Sequence, residues 1–231
     1  MNKEPILISW SGGKDSMLAL HDIRASGEYE VVAALTTVSE EFGRICMHGV
    51  RRELLRRQAE ALELPLEEIV MPVNPSNADY EAGMAERLER YKKHGVRRVV
   101  FGDIFLADLK KYRDENLAKL GMSGIYPLWL QDTRELVKRF LALGYETILA
   151  CIDTRVVPES FAGRAIDDAF LNDLPPNVDP CGENGEFHTF VWKGPMFATP
   201  LALRLGEKVF REPFLYCDLI EELPVAAAVE K

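Results

Sequence analysis

Residues 6–16 read Ile-Leu-Ile-Ser-Trp-Ser-Gly-Gly-Lys-Asp-Ser. Three consecutive apolar residues, Ile6, Leu7 and Ile8, are the mark of a short strand buried on both faces. A polar turn carrying two adjacent glycines follows. Residues 16–24 then place Met17, Leu20 and Ile23 at helical spacing, and Gly27 closes that helix. The unit is a strand, a tight loop and a helix.

The same alternation continues outward. Residues 31–35 read as a second strand running into Thr36 and Thr37, and residues 50–62 as a helix with Leu54, Leu55, Ala59 and Leu62 inward. Strands are expected at 69–73, at 97–101 before Gly102-Asp103, and at 126–130, with helices at 77–94 and 109–120 between them. Strands alternating with helices predict an α/β fold, an open, mainly parallel five-stranded sheet of Rossmann-like type. Ligands of such sheets sit at the carboxyl ends of the strands. After residue 130 the texture changes. Asp132-Thr133-Arg134-Glu135 has capping-box spacing and opens a helix to residue 143. A strand at 147–152, a short helix at 162–171 and a β-rich final fifty residues follow. The expected organisation is a nucleotide-binding domain over 1–130 and a smaller α+β domain over 131–231. Ala226–Ala228 is the one low-complexity stretch.

The 231 residues carry a net charge of −9, which argues against a nucleic-acid partner held through its phosphates. Arg51, Arg52, Arg56 and Arg57 form the best basic cluster, but Glu53 and Glu60 interrupt it, as on a solvated helix face. No two of Cys46, Cys151, Cys181 and Cys217 are spaced as Cys-x-x-Cys, so no zinc knuckle or redox pair is indicated. Reduced thiols in a cytoplasm are expected. No apolar stretch approaches the roughly 20 residues that span a bilayer, so no membrane association is expected.

The glycine loop carries the chemistry. Gly12 and Gly13 let the backbone approach a ligand closely and turn its N–H groups onto an anion. The helix that starts near Ser16 adds its positive end. Lys14 offers a point charge, and Ser11 and Ser16 offer hydroxyl donors; Ser9, just before the loop, belongs with them. A Walker A loop needs Gly-x-x-x-x-Gly-Lys-Ser/Thr and a dinucleotide loop needs Gly-x-Gly-x-x-Gly; neither is present. Ser11–Ser16 resembles the PP-loop of the ATP pyrophosphatase superfamily. That resemblance implies ATP cleaved between its α- and β-phosphates, with AMP transferred to an acceptor oxygen and then displaced by a nitrogen or sulfur nucleophile.

Three further segments narrow the resemblance: Val100-Phe101-Gly102-Asp103-Ile104, Tyr112-Arg113-Asp114-Glu115-Asn116-Leu117, and Asp179-Pro180-Cys181-Gly182-Glu183-Asn184-Gly185-Glu186-Phe187-His188-Thr189-Phe190. With the PP-loop, and in this order, they resemble the diphthine–ammonia ligase family over residues 5–215. The resemblance implies an amide-forming ligase using ATP, Mg²⁺ and free ammonia on a carboxylate acceptor, either a small molecule or an elongation-factor-like protein. Lys14, Asp15 and Asp103 are then the catalytic candidates, with Mg²⁺ near Asp15 and Asp103. Thr36, Thr37 and Gly102 join the loop in holding ATP. His48, Arg113, Glu183, Glu186 and His188 are candidates for holding the acceptor. The family's usual Gly-Glu-x-Gly-Glu-Tyr-Glu-Thr here has Phe187 and His188, so a hydroxyl is lost and a group that accepts only gives way to one that can also donate. Taken alone, Asn184-Gly185 reads as a type I′ hairpin leaving Glu183 and Glu186 in solvent. Two other classes stay open: a nucleotide sensor without turnover, and a PP-loop tRNA-modifying enzyme. A homodimer also stays open.

Overall fold

The computed structural model describes residues 3–222; the alanine run at 226–228 lies outside them. The chain is an α/β protein with two sheets. The first is built from β1 (Glu4–Ser9), β2 (Tyr29–Ser39), β3 (Arg44–Ile45), β4 (Leu66–Met71), β5 (Arg98–Val100) and β6 (Ser123–Ile125). β1 pairs in parallel with β2 and β5, β5 with β6, and β2 with β4; β3 alone is antiparallel, folded back on the end of β2 at Val38 and Ser39. The second sheet is antiparallel, in the order β8 (Phe187–Lys193), β7 (Glu146–Asp153), β10 (Phe214–Glu221), β9 (Leu203–Arg211).

The helices between are α1 (Lys14–Ser26), α2 (Arg52–Ala61), α3 (Asn77–Lys92), α4 (Ala107–Lys119), α5 (Thr133–Ala142) and α6 (Asp168–Asp173). The capping residues behave as their chemistry requires. The Asp132 carboxylate accepts from Glu135 N at 3.0 Å and starts α5. None of the described helices is long and apolar enough to cross a membrane.

The mainly parallel α/β sheet and the separate β-rich second half are as the pattern predicts, with local corrections. The first sheet has six strands, because two-residue β3 is too short to leave a periodicity. The last parallel strand is Ser123-Gly124-Ile125, and residues 126–130 form the turn after it. A strand with one apolar residue gives no hydrophobic run, whereas Tyr126–Leu130 gives one without being a strand. The short helix starts six residues later than expected because Asp167 caps it, accepting from Phe170 N at 2.6 Å. Asn184-Gly185 is no type I′ hairpin, which needs positive φ at both central residues; Gly185 has φ +87 and Gly182 +70, but Asn184 is not in that region. The basic cluster is neutralised: Arg52 and Arg56 grip Glu68, and Arg51 grips Asp218.

One buried cluster runs through both sheets, joining Ile6, Ile8 and Val100 to Leu149, Phe187 and Phe190. The second sheet therefore packs directly behind the glycine loop.

Candidate active site

The loop between β1 and α1 is held from behind by residues far away in sequence. Gly12 lies at φ +78, and a Cβ there would stand 2.6 Å from Leu55 Cδ1 and 2.9 Å from Gln58 Oε1. Gln58 is fully buried. Its carbonyl accepts from Trp10 Nε1 at 3.0 Å, and its amide donates to the carbonyls of Gly12 at 2.9 Å and Val191 at 2.6 Å. Val191 N donates to Gly12 O at 2.9 Å, and Lys14 N donates to Thr189 Oγ1 at 3.0 Å. Strand β8 is thus stitched to the loop. Gln58→Ala would strand a buried indole N–H and weaken two carbonyls. We expect a loss of about 3 kcal/mol, from roughly 1–3 kcal/mol per unsatisfied group, read as a lower urea midpoint.

Within the loop, Ser11 Oγ accepts from Gly13 N at 3.2 Å and lies 3.3 Å from Ser16 Oγ, which donates to Gly13 O at 3.0 Å. Lys14 is 2% exposed. Its ammonium contacts both oxygens of Asp15 at 2.8 Å and donates to the carbonyl of Cys181. Burial opposes that charge, but the Asp15 carboxylate outweighs it and holds the lysine above its ordinary value. Asp15 keeps 30% of its side chain open.

The loop opens onto a cleft of about 380 Å³ at the carboxyl ends of β1, β2 and β5. Of the sequence-predicted residues, Ser9, Ser11, Lys14, Asp15, Ser16, Thr36, Thr37, His48, Gly102, Asp103, Arg113, Glu183 and His188 all line it. Thr36 is buried, and its hydroxyl has no protein partner. Asp103 is engaged by Arg113, Nε to Oδ2 at 2.7 Å, and that guanidinium stacks on Phe101 with 4.5 Å to the ring centroid. Gly102 brings β5 against α1, since a Cβ there would stand 2.8 Å from the Asp15 carbonyl carbon.

Glu183 closes one side. Its Oε1 accepts from Ile104 N at 2.7 Å and Phe105 N at 3.3 Å. Burial pushes its carboxyl up to about 7, against those two backbone bonds and with help from Asp15. Glu186 does not line the cleft. It is buried beneath the turn, accepting from Asp179 N at 3.0 Å and Asn184 Nδ2 at 2.9 Å, so it braces the segment that carries Glu183.

His48 and His188 meet at the mouth with ring centroids 4.5 Å apart. His48 Nδ1 lies 3.2 Å from Thr189 O. A carbonyl only accepts, so Nδ1 carries the proton and the other nitrogen is a bare acceptor. Burial takes His48 down to about 3 and His188 to about 4, with Lys14 adding to both. Below the ordinary value of 6.5 the unfolded chain binds protons that the folded one refuses. Their contribution is complete above pH 6.5 and lost as pH falls toward 4. Glu183 acts with the opposite sign, weakening the fold as pH rises from its ordinary 4.5 toward 7. Thermal melts from pH 7 to 4 should show a shallower acid decline in His48→Gln and His188→Gln than in the wild type.

Among the described residues no three His, Cys, Asp or Glu side chains converge as a metal centre. The sequence reading missed Trp10, Gln58 and Thr189. Gln58 left one signal: it falls on the inward stripe of α2, four residues from both Leu54 and Leu62. Thr189 closes the Gly-Glu-x-Gly-Glu segment, though nothing local marks its bond to the loop, and Trp10 left no signal.

A family model described as the diphthamide synthase N-terminal domain matches residues 5–124, and the diphthamide synthase C-terminal domain matches residues 132–223. The chain is 28% identical over 218 residues to a diphthine–ammonia ligase of Schizosaccharomyces pombe, covering 86% of this chain but 36% of that protein. It is 26% identical to the Danio rerio protein of that name, covering 86% of each, and 24% identical to the Homo sapiens one, covering 91% of this chain and 89% of that protein.

Proposed function

We propose, from the premise that the chain belongs to the diphthamide synthase family, that it is an ATP-dependent ligase that turns a carboxylate into an amide. The observation that carries this reading is the cleft itself. The glycine loop faces one space with Glu183, from the turn before β8, and His188, on β8, and Thr189 joins the two sides. A reaction in two halves, activation and then amidation, needs that arrangement.

In this reading residues 1–130 hold ATP and residues 131–231 present the acceptor. The N–H groups of the loop and Lys14 hold the β- and γ-phosphates, with Ser9, Ser11, Gly12, Gly13 and Ser16 shaping the cradle. Thr36 and Thr37 face the nucleoside, the buried Thr36 hydroxyl being free to take a partner. An acceptor carboxylate oxygen attacks the α-phosphorus, the α–β bridge breaks, and pyrophosphate leaves. Fixed charges and dipoles stabilise that departure without reorganising. Ammonia then attacks the acyl carbon and AMP leaves. Asp103 and Arg113 orient each other at the cleft edge. If Mg²⁺ accompanied the triphosphate it would offset phosphate charge, and Asp15, paired with Lys14 but 30% open, and Asp103, paired with Arg113, are the cleft carboxylates that would hold it.

The names of the relatives, diphthine–ammonia ligase, support ammonia as the nitrogen source; the carboxylate acceptor is part of the proposal. The proposed compartment is the cytoplasm, in keeping with four free thiols. The test supplies heavy-nitrogen ammonium, ATP, Mg²⁺ and a cell extract that keeps its small acids but has been freed of endogenous ammonium. An amide that gains heavy nitrogen only with ATP and protein together supports the reading. Labelling that does not depend on ATP would overturn it.

A further inference from the structure

A second depression adjoins the cleft and shares one wall with it. It has a volume of about 290 Å³ and lies between the β2–β3 turn on one side and the β9–β10 hairpin on the other. Ile45, Cys46 and Met47 line both spaces, so a thin partition divides them. Met47 holds an uncommon backbone conformation at φ +65 and is 65% exposed. Gly49, at φ +69, lets the partition close onto the ring of Tyr216.

The chemistry of the groove is uneven. Phe42, Met47 and Val209 are exposed apolar side chains on its rim. Two of its charges are spent on each other, since Asp218 accepts from Arg44 at 2.9 Å and is also held by Arg51. Arg211 is different. Its guanidinium lies 4.0 Å from the centroid of Phe42, and among the described residues no carboxylate pairs with it. A cation stacked on an aromatic face, beside an apolar trough, suits an anion with an apolar body. The volume lies at the lower end of the roughly 300–1,000 Å³ of small-molecule sites, which favours a small ligand over a protein segment.

We infer that this groove holds the non-reacting part of the acceptor, and that the acceptor is a small dicarboxylic acid with an apolar body. The inference rests on the amide-ligase reading above. One carboxylate pairs with Arg211, the apolar body lies against Phe42 and Tyr216, and the second carboxylate passes Met47 into the cleft to be activated. The groove therefore selects substrate by charge and by the apolar body it accommodates.

The test uses the full chain loaded with α,β-methylene-ATP, whose binding is measured first. Succinate, glutarate, phenylsuccinate and the cation phenethylamine are then titrated by calorimetry. We expect at least one diacid to bind and phenethylamine not to. Affinity should fall about tenfold in Arg211→Gln and in Phe42→Ala, and stay unchanged in Arg204→Gln, an exposed arginine on the same strand. Three results overturn the inference: no diacid binds the nucleotide-loaded protein, binding survives in Arg211→Gln, or the face proves to be a self-association surface that Phe42→Asp disperses. Failure of the nucleotide analogue to bind would instead overturn the ATP reading.

Discussion

Lys14→Ala should lower AMP formation by about a hundredfold to a thousandfold, the loss typical of removing one preorganised charge-stabilising donor. No other lysine lines the cleft, so no neighbour of the same kind stands in. The substitution also breaks an ion pair. A buried pair that loses one partner costs about 3–5 kcal/mol, and the partly open Asp15 puts this case at the low end. Two measurements separate the effects. Urea unfolding reads the stability loss, and single-turnover AMP formation at saturating ATP reads the chemistry on protein that remains folded. Lys14→Met, which keeps most of the length and none of the charge, should lose as much activity. Activity within about threefold of wild type in either variant would remove Lys14 from the chemistry.

Gly102→Ala is the second large effect, and it acts through backbone. The added methyl would lie 2.8 Å from the carbonyl carbon of Asp15, 2.9 Å from its oxygen and 2.9 Å from Ser16 N. None of these is the flexible end of a side chain, so β5 and the first turn of α1 must separate. Overpacking of this kind costs about 1–3 kcal/mol. The displaced atoms are those of the phosphate loop, and misplacement by about 1 Å can cost a hundredfold in rate. We expect ATP affinity to fall at least tenfold together with a lower melting temperature. A variant that melts lower but binds ATP normally would show that the β5–α1 contact supports the fold and not the site.

These two residues also mark how far the sequence could be read. Lys14 was visible because chemistry and local order coincide: a buried strand, two glycines and a cation in a row. The parallel strands β1 and β2 were visible for the same reason, as apolar runs between helical periods; β4, expected at 69–73, runs over Leu66–Met71, because Glu67 and Glu68 interrupt its apolar run. What stayed hidden depends on distant partners. The grip of Gln58 on Gly12 and Val191 spans 46 and 133 residues, and no local pattern encodes it. Gly102 could be placed at a strand end, but the reason it must be glycine lies in α1. Glu183 and Glu186 look equivalent three residues apart. Only the fold separates them, turning one to the cleft through Ile104 N and burying the other under Asp179. Ser123-Gly124-Ile125 became a strand through its partner β5, not through its own composition.

In the proposed reaction the loop cleaves ATP between the α- and β-phosphates on behalf of an acid acceptor. The most direct measurement incubates the protein with ATP labelled at the α-phosphorus, Mg²⁺, ammonium and a pool of small cellular acids, then separates the labelled products. Labelled AMP is expected, formed by wild type in the presence of the pool and lost in Lys14→Ala. Labelled ADP as the product would contradict it.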